Sequence, residues 1–415
     1  MPERAATCAG CGCGCDDIEV VVAAGALERA SRTCPIGDEW FAERGADAPL
    51  LARIDGREVG FADAVEASAA ILGEARLPLV CGLGQTDCES QRAAVALAEA
   101  IGAVIDPTGP TEEGAVAAAS QAIGLSTATF GELRDRAGIV VAWRADPVAS
   151  NPRLLPRLRL DRAGRAAERT LVVIDAQRTA TADEADEFIE LPPELDFEAL
   201  WAMRALVRDV PLDRDLAARL PLDALELLGG RLRACSYGAV LHGPAGYVNA
   251  LALLALVRDL ARITHVVALP LRQDGNARGA EDVLAWQTGY PSAVSFARGH
   301  PRARPGEFSA AGLLERGETD AALIVGFDAL RHLPPRAGDH LRRIPTIVVD
   351  PRATETAAAA RVAFATAASG VQREGTAHRM DGVPVTLRAP LASERAGDQA
   401  VLAAIEACIA GEEGT

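Results

Sequence analysis

The sequence predicts an α/β protein: two related lobes built on parallel sheets, preceded by a small cysteine-rich N-terminal domain. Three observations carry that prediction. Short β-branched runs alternate with Ala- and Leu-rich amphipathic stretches, the pattern of strands covered by helices on both faces. An apolar strand, an aspartate and a T-x-T-A element occur twice, as VVIDAQRTATA (172–182) and IVVDPRATETA (347–357). Five of the nine cysteines fall in the first 34 residues.

Length and composition fit this class. A chain of 415 residues with 49% apolar and 24% charged residues is long enough for two or three domains with sizeable cores. The longest apolar stretch, Tyr247–Val257, is interrupted at Asn249 and is too short to span a bilayer. Residues 1–8 carry Glu3 and no apolar core, so no signal peptide is expected, and the protein is expected in the cytoplasm. A net charge of −16 argues against nucleic acid and anionic membranes as partners. All 42 basic residues are arginine. With no lysine there is no amine for a Schiff base and no Walker A loop. A GC-rich coding bias explains the preference for arginine. All six histidines lie in the second half, from His242 onward, so a metal site in the first half must use cysteine or carboxylate ligands.

Within residues 1–50, Cys8, Cys11, Cys15 and Cys34 form C-x2-C-x3-C-x18-C. A tight loop rich in glycine (Gly10, Gly12, Gly14) can aim three thiolates inward, and the fourth returns after a hairpin that begins at Ile18–Val22. Four converging thiolates suit a [4Fe-4S] cluster. Structural zinc with four cysteines is the rival, and a loop of free thiols is the bland alternative. Cys13 is surplus in each case.

After a linker near 46–50, helices are expected at 61–75 and 90–101, with strands at 77–81, 103–105, 138–142 and 171–174. Residues 51–210 are read as the first lobe and 231–390 as the second, with interleaving of the two left open. A helical, Leu- and Pro-rich segment at 191–225 joins them. In both T-x-T-A copies the aspartate (Asp175, Asp350) opens a turn and a threonine (Thr179, Thr354) caps a helix. Further strands, 139–147 and 322–330, precede the copies, each with an Asp just past its apolar run. Strand-end acids and helix N-termini of this kind are where doubly wound sheets bind ligands. A helix is expected at 249–263. The five glycines of 269–308 read as a loop pressed against a ligand or another chain. Residues 374–385 read as a polar loop with Arg379 and Asp381. Residues 391–415 end in a docking helix with Asp398 as its N-cap.

Three segments, TCAGCGCGCDDIEV (7–20), AWQTGYPSAVSFARGHPRARPGE (285–307) and EGTAHRMDGVPV (374–385), are collinear with, and resemble, the B subunit of formylmethanofuran dehydrogenase. That family belongs to the molybdopterin oxidoreductases. The resemblance implies an N-terminal iron–sulfur domain, two Rossmann-like pterin-binding lobes and a tungsten or molybdenum bis-pterin centre. It also implies that the usual C-terminal barrel domain is absent, the chain stopping at Thr415. Where the dehydrogenases carry a metal-ligating cysteine or selenocysteine followed by histidine, this chain reads VIDPTGPTEEG (104–114), with Glu112 and Glu113 at the matching positions. Carboxylate is a poor replacement for a soft thiolate on such a metal. The pterin-contact motifs W-G-x-N-P, G-S-D-P-G-A-H and R-G-H-Y-N appear as Trp143-Arg144-Ala145-Asp146-Pro147, Gly326-Phe327-Asp328-Ala329-Leu330-Arg331-His332 and Arg272-Gln273-Asp274-Gly275-Asn276. These departures predict that the metal–pterin centre is lost, with Glu112, Glu113 and Arg298 lining a vestigial pocket.

A scaffold of this kind without its redox centre resembles the B subunit of the formyltransferase/hydrolase complex of methylotrophs. The resemblance implies partners, namely hydrolase, transferase and small scaffold subunits, and a methanofuran-type carrier bound mainly by those partners. The alternative is an active tungsten or molybdenum dehydrogenase, favoured by retention of the four cysteines.

Overall fold

The computed structural model describes residues 3–44, 52–107, 111–215 and 217–411, without the side chains of 111–113. The linker expected near 46–50 lies outside the described residues.

The N-terminus forms a three-stranded antiparallel sheet, β1 (Glu3–Cys8), β2 (Cys15–Ala23) and β3 (Ala26–Ser31). The expected hairpin is therefore β2–β3, turning at Ala24 and Gly25, both at positive φ. Helix Pro35–Arg44 follows.

Two short strands, β4 (Ala52–Ile54) and β5 (Arg57–Val59), lead into helix Phe61–Glu74 and strand β6 (Pro78–Gly82). Helix Cys88–Ala100 and β7 (Val104–Asp106) come next. The chain then builds a separate five-stranded sheet from β8 (Ile139–Trp143), β9 (Thr170–Asp175), β10 (Glu187–Glu190), β11 (Tyr237–His242) and β12 (His265–Pro270). All four of its pairings are parallel, in the order β10-β9-β8-β11-β12. Afterwards the chain completes the first sheet with β13 (Val294–Ser295), β14 (Arg302–Ala303), β15 (Ala321–Val325), β16 (Thr346–Val349) and β17 (Val362–Phe364). A separate hairpin, β18 (Gly375–His378) and β19 (Pro384–Leu387), precedes the last helix, Asp398–Ala410.

The first sheet runs β14-β13-β7-β6-β15-β16-β17-β4-β5, and its central five strands are parallel. The two five-strand cores, β7-β6-β15-β16-β17 and β12-β11-β8-β9-β10, have the same layout but a permuted chain order. The contiguous division at 51–210 and 231–390 is thereby corrected. One compact unit comprises residues 1–114 and 274–415, and the other comprises 115–273. The cysteine-rich segment belongs to the first unit rather than standing as a domain of its own. No local pattern announces that β6 pairs with β15, some 240 residues downstream.

The central parallel strands β6, β8, β11 and β15 are buried on both faces, which explains their near-continuous apolar runs. In β6, Val80 faces a core with Leu97, Leu323 and Ile405. Leu79 and Cys81 face the opposite core with Leu313, Leu314 and Leu341. The second unit packs Val141, Val172 and Val240 under helices Asp196–Val207, Leu222–Ala234 and Tyr247–Leu260. Val401, Leu402 and Ile405 seat the last helix in the first unit's core.

Three local expectations change. The stretch 269–308 contains a helix, Ala277–Thr288, whose Gly279 sits under the Asn276 side chain. The polar segment 374–385 is a hairpin, since Thr376 and Thr386, a cross-strand pair, fit a half-buried pleat. Gly397 is the N-cap of the last helix, and Asp398 is its first residue. Among the described residues no helix is long and apolar enough to cross a membrane.

Candidate functional site

The cysteine loop is closed by pairing Cys8 with Cys15 at the ends of β1 and β2. Between them, Gly14 takes φ +47° and donates its N–H to the Cys11 carbonyl at 3.3 Å. Gly10 donates its N–H to Cys8 Sγ at 3.4 Å, the bond a thiolate would accept. Cys34 precedes helix Pro35–Arg44, and a Cβ on Gly37 in that helix would lie 3.3 Å from Cys8 Sγ. The missing side chain therefore lets the first helical turn press on the thiol. Cys8, Cys11, Cys13 and Cys15 are buried and Cys34 is half-buried. Burial pushes the Cys8 thiol up. The Gly10 N–H opposes that shift, and the neighbouring charges of Cys15, Cys11 and Cys34 add to it.

The four thiols of the spacing motif are thus brought into one neighbourhood. Among the described residues no group of three His, Cys, Asp or Glu is drawn together as an ion-holding shell. The donor set is chemically right for a thiolate-held group: four thiols, a backbone N–H on one sulfur and a glycine cradle. The opposite side of the loop is closed by Gly275. A Cβ there would fall 1.8 Å from the Ala9 carbonyl oxygen, so only glycine can occupy that position. The glycine-rich stretch is pressed against the cysteine loop itself.

At the carboxyl ends of the strands, the internal repeat becomes a matched pair of clasps. Asp146, past β8, accepts from the Thr181 hydroxyl at 2.6 Å and the Thr181 N–H at 3.0 Å. Asp328, past β15, accepts from the Thr356 hydroxyl and N–H at the same two distances. Thr179 and Thr354 cap their helices as expected. The second threonine of T-x-T was overlooked from sequence, although its recurrence in both copies was the available signal.

The departures in the contact motifs are accommodated differently from the expectation. Arg144 adopts φ +48°, matching Gly326 at φ +62° in the other lobe. Its guanidinium does not stand open at the strand ends. It is drawn onto Asp196 at 2.9 Å, Asp175 at 3.4 Å and the Leu191 carbonyl at 2.7 Å. Asp196, which also accepts from the Trp143 indole, was not legible as a partner. In the other lobe Arg352 bonds Asp350 through two nitrogens, at 2.8 and 2.9 Å, and donates to the Gly326 carbonyl.

The side chains of Glu112 and Glu113 lie outside the described residues, although both belong to helix Thr111–Ile123. Arg298 is exposed in the turn between β13 and β14, with His300 Nδ1 3.1 Å from its carbonyl oxygen. Two buried titratable groups were missed. His242, at the end of β11, has its pKa lowered to about 4, chiefly by burial, so the ring is neutral. Its Nε2 has no hydrogen-bond partner among the described residues. Asp398 accepts from the Thr86 and Thr366 hydroxyls, and burial raises its pKa to about 7.

Comparison with protein-family profiles returns no match. Among characterised proteins, the B subunit of the tungsten-containing formylmethanofuran dehydrogenase 2 of Methanocaldococcus jannaschii is 35% identical over 403 residues, covering 93% of each chain. The B subunit of the formyltransferase/hydrolase complex Fhc of Methylorubrum extorquens is 31% identical over 277 residues, covering 63% of this chain and 70% of the relative. Among solved structures, the FhcABCD complex from Methylorubrum extorquens with methylofuran contains a chain that superposes with a TM-score of 0.72 at 25% identity. That match covers 87% of this chain and 99% of the other. Acetylene hydratase from Pelobacter acetylenicus shares the fold, with a TM-score of 0.70 at 13% identity over 99% of this chain and 69% of its own.

Proposed function

The chain belongs to the family of formylmethanofuran dehydrogenase B subunits, and from that premise we propose that it is a non-redox, structural member of a formyltransferase/hydrolase complex in one-carbon metabolism. The observation that carries this reading is the segment after β7. From Asp106 to Gly114 the sequence has no cysteine and no histidine. The thiolate ligand of the dehydrogenase centre therefore has no donor there, and the two glutamates supply only hard oxygen ligands. These residues do not fit the metal–pterin group. Arg144 adds less support than its sequence position suggests, because its side chain is engaged within its own lobe.

In this reading the chain holds hydrolase, transferase and small scaffold subunits in register. A methanofuran-type carrier passes nearby and is bound mainly by those partners. Cys8, Cys11, Cys15 and Cys34 hold a metal group, a [4Fe-4S] cluster or zinc, that staples the N-terminal hairpin and helix to the rest of the unit. Metal binding there is folding free energy. Deleting the gene tests the role: loss of the co-purifying transferase and hydrolase assembly is expected, and a fully assembled complex without this chain would refute it.

A second reading, an active tungsten or molybdenum formylmethanofuran dehydrogenase, is favoured by two observations. The four cysteines are retained, and identity to the tungsten-containing relative extends over 93% of the chain.

A further inference from the structure

We propose that the outer face of helix Asp196–Val207 is a homotypic interface, on which a second copy of this chain docks across a two-fold axis at Trp201. The inference goes beyond the proposed function and stands on the second unit alone.

Exposed apolar side chains are unevenly shared between the two units. Among the described residues, seven of the nine large ones belong to the smaller unit, 115–273. Within it, helix Asp196–Val207 packs against helices Leu222–Ala234 and Tyr247–Leu260 and shares one core with them. Its inner side sends Ala199, Leu200, Met203 and Val207 into that core. Its outer side presents Phe197, 40% exposed, and Trp201, 47% exposed, with ring centroids 5.9 Å apart. One face of the Trp201 ring is covered by Arg204, whose guanidinium carbon lies 4.3 Å from the ring centroid. That cation is buried and bonds Asp259 at 2.8 Å. The indole is therefore held in a fixed plane on a paired cation. Ordered aromatic anchors of this kind carry much of the affinity of protein interfaces.

The order of residues along the face says what covers it. Glu194, Phe197, Trp201, Ala205 and Arg208 are exposed or half-buried and follow one another in steps of 3, 4, 4 and 3 residues, one helical stripe. Those steps are symmetric about Trp201. In an isologous pair, each residue a given number of places before the axis faces the one the same number after it. Two antiparallel copies then set Glu194 against Arg208 and Phe197 against Ala205, and each pairing occurs twice. Acid meets base, and the large ring meets the small side chain, at the shallow crossing of about 20° that antiparallel helices favour. A parallel pair would oppose like charges instead. Neither charge is satisfied within the chain. Among the described residues Glu194 and Arg208 make no ion pair, and the acid beside Arg208, Asp209, is taken by Arg233.

Room for the facing Phe197 exists beside Ala205. The next residue, Leu206, lines an open cleft of about 380 Å3 with Gly229, Gly230 and Ala234 of helix Leu222–Ala234. Glycine is unfavourable in a helix interior, yet a Cβ on Gly230 would meet nothing within 4 Å. Nothing inside the chain requires glycine there, whereas a close-lying second chain would.

The test uses the full chain with its co-purifying partners. Two tagged forms are expressed together and each is tested for retention by the other's tag, and sedimentation equilibrium gives the dimer dissociation constant. Wild type is expected to carry two copies per particle. Trp201→Gln is expected to weaken dimerisation by roughly thirtyfold or more, the effect of removing an interface anchor. Arg208→Glu sets two acids against each other on both sides of the axis, and a loss of roughly tenfold is expected. The exchange Glu194→Arg/Arg208→Glu is expected to return affinity to within a few-fold of wild type. Only a surface that faces itself regains its complement when both of its own charges are exchanged. A wild-type chain with one copy per particle, a dimer indifferent to Trp201→Gln, or an exchange that fails to rescue overturns the proposal. So does a Trp201→Gln chain that keeps its copy number and loses a different co-purifying subunit, which would give the face to that subunit. Should Trp201→Gln fail to fold by circular dichroism, Phe197→Ala decides: unchanged dimerisation there overturns the proposal.

Discussion

The two lobes solve one problem in two ways. Each places an aspartate at the end of its second repeat strand, Asp350 after β16 and Asp175 at the end of β9, and each gives it an arginine. In the first unit the guanidinium comes from Arg352, two residues beyond the aspartate, and the left-handed strand exit is Gly326. In the second unit the residue two beyond Asp175 is Gln177, and the arginine sits at the exit itself, Arg144. Holding a non-glycine residue in the left-handed region costs on the order of 1–2 kcal/mol. Asp196 offsets that cost, bonding both Arg144 and the Trp143 indole. What persists between the lobes is the charge on the strand-end acid, while the residue supplying it has moved. A lost glycine in a motif is therefore weak evidence that the backbone has changed, as Arg144 demonstrates.

Removing the arginine should hurt the first unit most. Asp350 is only 1% exposed, so Arg352→Gln strands a buried carboxylate and is expected to cost roughly 3–5 kcal/mol. Chemical denaturation of the variant checks this, and a cost below about 1 kcal/mol would mean that Asp350 is held by something else. A smaller effect is expected from Arg144→Gly. Its acids are less enclosed, with side chains 10% and 19% exposed, and the variant relieves the left-handed strain, so a loss of about 1–2 kcal/mol is expected. The double variant Arg144→Gly/Gln177→Arg copies the first unit's arrangement into the second. It is expected to recover at least part of that loss, and no recovery would show that the lobes are not interchangeable at this point.

The same pair of lobes marks how far the sequence could be read. Strands such as Ile139–Trp143 and Thr346–Val349 were legible because burial on both faces writes an unbroken apolar run. The repeat was legible because Asp and T-x-T recur at one spacing. The cysteine neighbourhood was legible from spacing alone. The interleaving of the lobes was not, since strand partners some 240 residues apart leave no periodic trace. Neither Asp196 nor the bond from the Met380 N–H to the Gly12 carbonyl could be found, because both are contacts between segments whose separate sequences read as ordinary helix and loop. The segment 277–288 misled for a different reason: its glycine lies in a helix, where a neighbouring side chain rather than a turn requires it.

The function proposed for this family member turns on its keeping a metal-stapled cysteine segment while lacking a tungsten or molybdenum centre. Metal and acid-labile sulfide analysis of the anoxically purified protein, with its co-purifying partners, tests both halves at once. No molybdenum or tungsten is expected, with iron and sulfide at about four each or zinc at about one per chain. Molybdenum or tungsten at about one per chain would contradict this and make the protein part of a working dehydrogenase.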